Sequence, residues 1–251
     1  MDKLLIFDNV SCNDYGTPAL QNLSFDINYG ENVVIFGPEH SGNELLCPLI
    51  AGFIDITYGD IIYNGVSLKN MDYIGKLEHK KKVGYLHYSS GLISNMSVEQ
   101  NISLPLQYHS KMSNTEITEH VNNLIKELRL EKYKGLRPFS LSRTERLKTA
   151  YARATVFDPD LLMIEHAFEG QSLIQLLPLF DLLTKREEQK DKSILFITFE
   201  PHNFIKMAHK FIMFFDNKIV FSGGPDEFLN SDNPYLRQYK DMSQDGPMSF
   251  F

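Results

Sequence analysis

The sequence predicts an α/β fold with a mostly parallel sheet, because short apolar runs alternate with segments of helical periodicity. Residues 32–36, 161–164 and 194–197 are nearly continuous apolar runs, as expected for strands that are buried on both faces of a sheet. Residues 4–7 and 23–27 predict two further strands near the N-terminus. A parallel core with an N-terminal β subdomain is therefore the expected architecture.

The middle of the chain predicts a helical insertion into this core. Residues 113–116 read Ser-Asn-Thr-Glu, a capping box that marks the start of a helix. Apolar residues then recur at helical spacing: Ile117, Val121, Leu124, Ile125 and Leu128. Gly135 and Pro138 predict the end of this helix, and a second helix is expected from about residue 143 through 156.

Two shorter features complete the predicted architecture. Residues 44–51 carry leucines and isoleucine at helical spacing, which predicts a helix directly after the third strand. Asp216-Asn217 separates two apolar runs, at 211–215 and 218–221, and predicts a β-hairpin.

Composition excludes several classes of protein. The chain has 251 residues and is 43% hydrophobic, enough for one large domain with a sizeable core. Its net charge of -7 argues against a nucleic-acid-binding surface. Cys12 and Cys47 cannot form a disulfide framework, so we expect a reducing cytoplasm. No apolar run reaches the roughly 18 residues of a membrane span, so another chain is expected to supply any membrane part.

Residues 37–44 carry the frame of a phosphate-binding loop. The pattern G-x-x-x-x-G-K-[ST] requires two glycines, a lysine and a hydroxyl, and Gly37 and Gly42 have the required spacing. Asn43 stands at the lysine position and Glu44 at the hydroxyl position. The loop follows a strand as the pattern requires, but it lacks the residues that neutralise phosphate charge.

Nearly the whole chain resembles the ATP-binding subunit of ABC transporters, through a series of motifs in the expected order. Tyr15-Gly16 matches the loop whose aromatic ring stacks on adenine in that family. Residues 83–88 match the strand that ends in a glutamine touching magnesium and the membrane partner, and Tyr88 replaces that glutamine.

The signature segment of the family is also altered. Residues Leu141, Ser142, Arg143, Thr144 and Glu145 match the Leu-Ser-Gly-Gly-Gln motif, which clamps the γ-phosphate held by the opposite subunit. Arg143 and Thr144 replace the two glycines that let the backbone approach closely. We expect Ser142 to act as a helix N-cap.

The residues that match the catalytic positions differ as well. Residues 158–166 match the second nucleotide strand, which ends Asp-Glu in the family and Glu165-His166 here. Ser172 stands where the family has an aspartate, and Phe199 stands at the position of the switch histidine. A phenyl ring makes no hydrogen bond to a phosphate.

The resemblance therefore implies a vestigial nucleotide site in which no residue is assigned as catalytic. Its remnants are Tyr15, Gly37, Ser41, Gly42, Asn43, Glu44 and Tyr88, with degenerate catalytic positions at Glu165, His166 and Phe199. We expect binding of ATP and Mg²⁺ to be weak or absent, and the histidines show no metal-ligand spacing.

Other stretches are similar to the ATPase subunits of MCE-type (Mla-like) lipid transporters. They lie at residues 89–106, 167–172 and 233–247. The resemblance implies that residues near 88–108 contact a membrane permease. It further implies an MCE-type substrate-binding protein in the same complex, a second ATP-binding-type subunit, and a location on the inner face of the cytoplasmic membrane.

The resemblance also implies an ABC-type P-loop ATPase fold in a single domain over residues 1–251. Residues 1–87 and 158–222 would form the α/β core, with a mostly parallel sheet and an antiparallel β subdomain. Residues 88–157 would form the helical subdomain with the signature region, and residues 223–251 a C-terminal extension.

Three functions remain open from the sequence. The first is a non-hydrolysing subunit that acts as a scaffold or regulator of a permease. The second is an unusual active ATPase, in which Glu44 and Glu165 hold a metal and His166 acts as the base. The third is a soluble sensor that binds another ligand in the old nucleotide cleft, lined by Tyr15, His40 and Phe199.

Overall fold

The computed structural model describes residues 2–14, 17–171 and 173–249. It contains two β-sheets with helices around them. The strands are β1 (Lys3–Asp14), β2 (Thr17–Asn28), β3 (Asn32–Phe36), β4 (Tyr58–Tyr63), β5 (Val66–Ser67), β6 (Val83–His87), β7 (Leu161–Glu165), β8 (Ser193–Thr198), β9 (Lys210–Phe215) and β10 (Lys218–Gly223). The α-helices are α1 (Leu46–Ile50), α2 (Tyr73–Lys82), α3 (Val98–His109), α4 (Asn114–Glu127), α5 (Arg143–Thr155), α6 (Leu177–Glu187), α7 (Pro225–Asn230) and α8 (Pro234–Asp241).

The sheets have different strand directions. The four-stranded sheet has the order β2-β1-β4-β5 and is antiparallel. The six-stranded sheet has the order β10-β9-β3-β8-β7-β6, in which every neighbouring pair is parallel except the β9–β10 hairpin at one edge. The parallel core, the antiparallel N-terminal sheet and the hairpin agree with the prediction from the sequence.

The six-stranded sheet is buried on both faces, which explains its continuous apolar runs. Along β3, Val34 and Phe36 face the apolar cluster that includes the inner faces of α3, α4 and α5. Val33 and Ile35 face the second cluster, formed with α1 and the N-terminal sheet. Alternate side chains of β3 therefore pack into the two apolar cores on opposite faces of the sheet.

The N-terminal strands are longer than the sequence predicts. β1 and β2 have 12 residues each, whereas only the apolar runs at 4–7 and 23–27 indicated strands. Bulges carry the pairing past the polar residues, and Asn9 and Asn22 adopt positive φ angles of 49° and 52° there. Asparagine tolerates this conformation better than most residues, so the strands continue through positions that resemble turns.

Helix α4 corrects another prediction. It ends at Glu127, well before Gly135 and Pro138. Arg129 adopts a left-handed φ of 57°, and the Leu130 amide donates to the Ile125 carbonyl at 2.8 Å. This is a Schellman-type helix end, in which an arginine takes the place usually held by glycine.

The segment between β6 and α3 is ordered by one buried amide. Asn101 is fully buried, and its Oδ1 accepts a hydrogen bond from the Ile93 amide at 2.8 Å. Its Nδ2 donates to the carbonyls of Ile93, Met96 and Ser97 at 3.0 to 3.2 Å. A single side chain therefore fixes the fold of residues 93–97.

None of the helices in the described residues is both long and apolar enough to cross a membrane.

We expect the Asn101→Ala substitution to lower the free energy of unfolding by about 2 kcal/mol, because it leaves several buried backbone groups without partners. Urea denaturation measures this change. Asn123→Ala, at an exposed position of α4, is the matched control and should have little effect. Equal effects of the two substitutions would contradict the structural role of Asn101.

Candidate functional site

The candidate site lies at the carboxyl ends of four neighbouring parallel strands, β3, β8, β7 and β6. Open α/β sheets bind ligands at this edge. A cavity of about 480 Å³ opens there. It is lined by Glu39, His40, Asn43, Glu44, Tyr88, Arg143, His166, Glu169 and Phe199. The fold thus brings together the phosphate-loop frame, the glutamine position, the signature segment and two of the three degenerate catalytic positions, His166 and Phe199.

The two glycines of the loop have a structural role. A Cβ atom on Gly37 would lie 2.3 Å from the Phe214 carbonyl oxygen. Gly42 has a φ of 95°, and a Cβ there would lie 2.5 Å from Oδ1 of Asn217. The Asn217 amide donates to the Ser41 carbonyl at 3.0 Å. The glycine spacing is therefore required for packing against the β9–β10 turn, whether or not a phosphate binds.

The end of the loop binds its own carboxylate. The Gly42 amide donates to Oε2 of Glu44 at 3.1 Å. Residues Asn43–Leu45 form a 3₁₀ turn, and the α-helix that follows has only five residues, so the predicted helix over 44–51 is shorter than expected. In a phosphate loop the backbone amides face the phosphates, but here one of them is satisfied by a glutamate of the chain.

Two buried polar groups of the loop have no partner within the described residues. They are Oγ of Ser41 and Nδ2 of Asn43, and these residues are only 1% and 2% exposed. Asn43 lines the cavity and stands at the lysine position of the phosphate-loop pattern. It supplies a hydrogen-bond donor there and no positive charge.

Glu165 is buried at the end of β7 and is engaged by its neighbours. Its Oε2 accepts a hydrogen bond from the Tyr85 hydroxyl and lies 3.8 Å from Nε2 of His87. Burial raises the pKa of the Glu165 carboxyl, and the negative charge of Glu44 contributes in the same direction. Burial therefore disfavours the charged form of this carboxyl.

His166, Glu169 and Phe199 form a closed cluster. His166 Nδ1 lies 2.7 Å from Oε1 of Glu169, and the His166 and Phe199 rings lie 4.3 Å apart at 30°. The same Oε1 accepts from the Phe199 amide at 2.8 Å and from the Thr198 hydroxyl at 3.3 Å. Burial opposes ionisation of Glu169, but the hydrogen bonds from His166, the Phe199 amide and Thr198 hold its pKa below the usual value.

This cluster extends to the C-terminal helix. The Tyr239 hydroxyl, on α8, donates to the Phe199 carbonyl at 2.8 Å. The Tyr239 ring also packs edge-on against Phe36, the last residue of β3, with centroids 5.4 Å apart. Phe199, at the position of the family's switch histidine, is therefore bonded to Glu169 through its amide and to Tyr239 through its carbonyl.

The signature segment begins α5. Ser142 is the N-cap, as the sequence predicts, and it forms a reciprocal capping box with Glu145. The Thr144 hydroxyl lies 3.3 Å from Oε1 of Gln175, Leu141 is buried, and Arg143 reaches the cavity. The side chains at the two glycine positions thus contact the chain's own segments.

Three further positions that the sequence singled out are Tyr88, Tyr15 and Ser172. Tyr88 is 57% exposed at the cavity rim, and its ring lies against His87. Tyr15 and Ser172 lie outside the described residues.

The residues present do not fit Mg²⁺-ATP. The cavity lining carries three carboxylates, on Glu39, Glu44 and Glu169, against the single guanidinium of Arg143. This balance repels a triphosphate. In the part of the chain that the structure describes, no three His, Cys, Asp or Glu side chains are grouped to hold a metal ion.

Sequence reasoning missed Glu169, Tyr85 and Tyr239. Glu169 stands three residues after His166, a spacing that can bring two polar side chains together at the start of a loop. Tyr85 and Tyr239 gave no signal, because their partners Glu165 and Phe199 are 80 and 40 residues away along the chain.

Comparisons with known proteins agree with this geometry. A family model described as ABC transporter matches residues 20–169. Two relatives are named intermembrane phospholipid transport system ATP-binding protein MlaF. The one from Haemophilus influenzae is 25% identical over 229 residues, which cover 91% of this chain and 87% of the relative. The one from Escherichia coli K12 is 26% identical over 229 residues, covering 91% and 85%.

A solved structure shows the same fold. The dimeric ATP-binding cassette MJ0796, in a post-hydrolysis state bound to ADP and Pi, superposes with a TM-score of 0.80 at 22% identity. The match covers 88% of this chain and 98% of that chain. The predicted ABC-type P-loop ATPase fold is therefore confirmed.

We expect charge removal at the two site carboxyls to have opposite effects on stability near neutral pH. Glu169→Gln should lower the free energy of unfolding by about 1–2 kcal/mol, because the neutral amide accepts the same hydrogen bonds more weakly. Glu165→Gln should leave it unchanged or raise it, because the substitution removes a charge whose burial is unfavourable.

The pH dependence follows from the directions of the pKa shifts. The pKa of Glu169 is lower in the folded state, so its stabilisation is present above the unfolded-state pKa. This stabilisation is lost as the pH falls through the folded-state pKa. The deficit of Glu169→Gln should therefore shrink in acid. Urea titrations at a series of pH values measure it, and a deficit independent of pH would contradict the ionised cluster.

Proposed function

The chain belongs to the ABC transporter family, and we propose that it is a catalytically impaired, ATP-binding-type subunit of an MCE/Mla-like lipid transport complex. In this role it binds a membrane permease as a scaffold or regulator, on the inner face of the cytoplasmic membrane. The names of the MlaF relatives support the lipid transport system. The altered cleft supports the loss of catalysis.

One observation carries the proposal. The Gly42 amide, which would face a phosphate, donates to the Glu44 carboxylate instead. A nucleotide would have to displace this carboxylate and then remain next to it. Asn43 provides no charge to offset the repulsion. At an effective dielectric constant near 20, a unit charge pair at about 4 Å contributes about 4 kcal/mol, so losing the lysine and gaining a glutamate weakens triphosphate binding by several orders of magnitude.

The groups at the hydrolytic positions support the same conclusion. Glu165 is bonded to Tyr85, and one nitrogen of His166 is bonded to Glu169. Phe199 contributes backbone hydrogen bonds and a ring that packs on His166, and its phenyl group cannot hydrogen-bond to a phosphate. Phosphoryl transfer depends on positioned metal, water and positive charge, and these residues supply none of the three.

Hydrogen bonds within the chain order the segment near the expected permease contact. Asn101 orders residues 93–97, and the exposed aromatic rings of Tyr88 and Tyr108 flank this region of the chain. The structural relative MJ0796 is dimeric, which supports a second ATP-binding-type subunit as a partner. Each composite site of such a dimer uses the loop of one subunit and the signature of the other. This chain would therefore impair both sites.

A second candidate is a sensor that binds another ligand in the old cleft. The unpartnered Asn43 amide at a cavity of about 480 Å³ favours it. A thermal-shift screen in which a metabolite stabilises the fold while ATP does not would support this function.

We expect the purified chain to release no phosphate from Mg²⁺-ATP above the level of its His166→Ala and Glu165→Gln variants. Those variants disrupt the arrangement that an unusual active site would use here, with Glu44 and Glu165 at a metal and His166 as the base. Turnover that is measurable in the native chain and lost in both variants would establish an active ATPase and overturn the proposal.

We expect the double substitution Asn43→Lys/Glu44→Ser to raise the affinity for Mg²⁺-ATP at least tenfold, because it restores the cation and frees the Gly42 amide. Isothermal titration calorimetry measures this affinity. The matched control is Asn123→Lys/Glu119→Ser, which makes the same charge change on the exposed face of α4. An equal gain in the control would show that overall charge, and not the loop, limits binding.

A further inference from the structure

A second cavity lies away from the nucleotide edge, between the end of α1, strand β4 and helix α2. Its volume is about 340 Å³, within the range of about 300–1,000 Å³ that small-molecule sites occupy. Its apolar lining includes Leu49, Ile54, Ile56, Ile61 and Leu68. These side chains suit an alkyl chain of moderate length.

The polar lining of this cavity is mainly cationic, although the chain as a whole is acidic. Lys69, Lys76 and Lys80 line it, with Asp55 as the single carboxylate. Lys69 donates to the Gly59 carbonyl. The Lys76 ammonium makes no hydrogen bond or ion pair with the described residues. In a chain of net charge -7, three lysines around one apolar cavity form a local site for an anion.

His79 lines the same cavity and carries a buried ring nitrogen that has no partner among the described residues. The residue is 6% exposed and lines the cavity, and its Nε2 lies 2.7 Å from the Ile50 carbonyl oxygen. A carbonyl only accepts hydrogen bonds, so Nε2 carries the proton of this contact. His79 Nδ1 is buried and has no partner among the described residues. A buried polar atom in this state is expected to have a ligand or water partner.

We propose that this cavity binds an anionic amphiphile of medium chain length, with the alkyl chain on the apolar lining and a carboxylate between Lys76, Lys80 and His79. This assignment is independent of the proposed function and concerns a different part of the molecule. The combination of an apolar floor, lysines that form no ion pair with the described residues and a buried imidazole distinguishes the site from a general hydrophobic depression.

Binding of a carboxylate at His79 takes up a proton. Burial lowers the pKa of His79, so Nδ1 is an acceptor in the free protein, and it cannot bond a carboxylate until it is protonated. The groups that face the ring or line the cavity are Lys76 and Lys80 on α2, Lys69, Asp55 and the Tyr63 ring at 4.7 Å. A bound anion raises the pKa of His79, so affinity should increase as the pH falls from about 8 to about 6.

Calorimetric titration of the full chain with decanoate tests the proposal. We expect saturable binding of one molecule per chain, and a loss of affinity of at least about tenfold in Lys76→Glu/Lys80→Glu. The control Lys126→Glu/Lys132→Glu makes the same charge change at exposed positions of the helical insertion and should bind decanoate like the native chain. All four positions are exposed, so the variants should fold.

Decyltrimethylammonium is the matched probe, because it pairs a similar alkyl chain with the opposite charge. We expect it to bind at least tenfold more weakly than decanoate. Equal affinity for both probes, unchanged affinity in Lys76→Glu/Lys80→Glu, or no saturable binding of decanoate would each overturn the proposal. A decanoate affinity that does not rise as the pH falls would remove His79 from the site.

Discussion

The hydrogen bond from the Gly42 amide to the Glu44 carboxylate is the contact on which the character of the site depends. It places a negative charge of the chain where the phosphate-loop pattern places a ligand. The residues next to this hydrogen bond form a 3₁₀ turn at the end of the loop and then the short helix α1. The glycine frame is retained because Gly37 and Gly42 pack against the β9–β10 hairpin. The loop thus joins β3 to α1 with a carboxylate of the chain bonded at its end.

The other altered positions are also tied into contacts within the chain. Glu169 joins the end of β7 to the end of β8 by accepting from His166, Phe199 and Thr198 through one oxygen. Tyr239 carries this connection to α8. In contrast, the hydrogen bonds by which Asn101 orders residues 93–97 involve none of the residues that line the cavity. Polar side chains around the cavity therefore bond within the chain, and those bonds link β7, β8 and α8, while Asn101 fixes the shape of residues 93–97.

Local signals in the sequence predicted the parts of the fold that short-range physics determines. The buried strands, the capping box at Ser113, the N-cap at Ser142 and the hairpin at Asp216-Asn217 each depend on neighbouring residues. The end of α4 was not predictable from glycine and proline, because Arg129 adopts the left-handed conformation instead. The bulges at Asn9 and Asn22 likewise depend on cross-strand pairing.

The sequence indicated which segments form the candidate site, but not which side chains in it bond to each other. Motif order indicated that the loop, Tyr88, His166 and Phe199 belong to one site, and the structure adds Arg143 of the signature segment to the same cavity. The bonds of Glu165 to Tyr85 and of Phe199 to Tyr239 span distant parts of the chain, and only the fold brings those residues together.

The amide resonance of Gly42 in a ¹⁵N-labelled chain tests the central claim most directly. The account predicts that this resonance stays in place when Mg²⁺-ATP is added, because the amide remains bonded to Glu44. A saturable displacement of the Gly42 resonance by Mg²⁺-ATP would show that a phosphate replaces the carboxylate, and it would contradict the account.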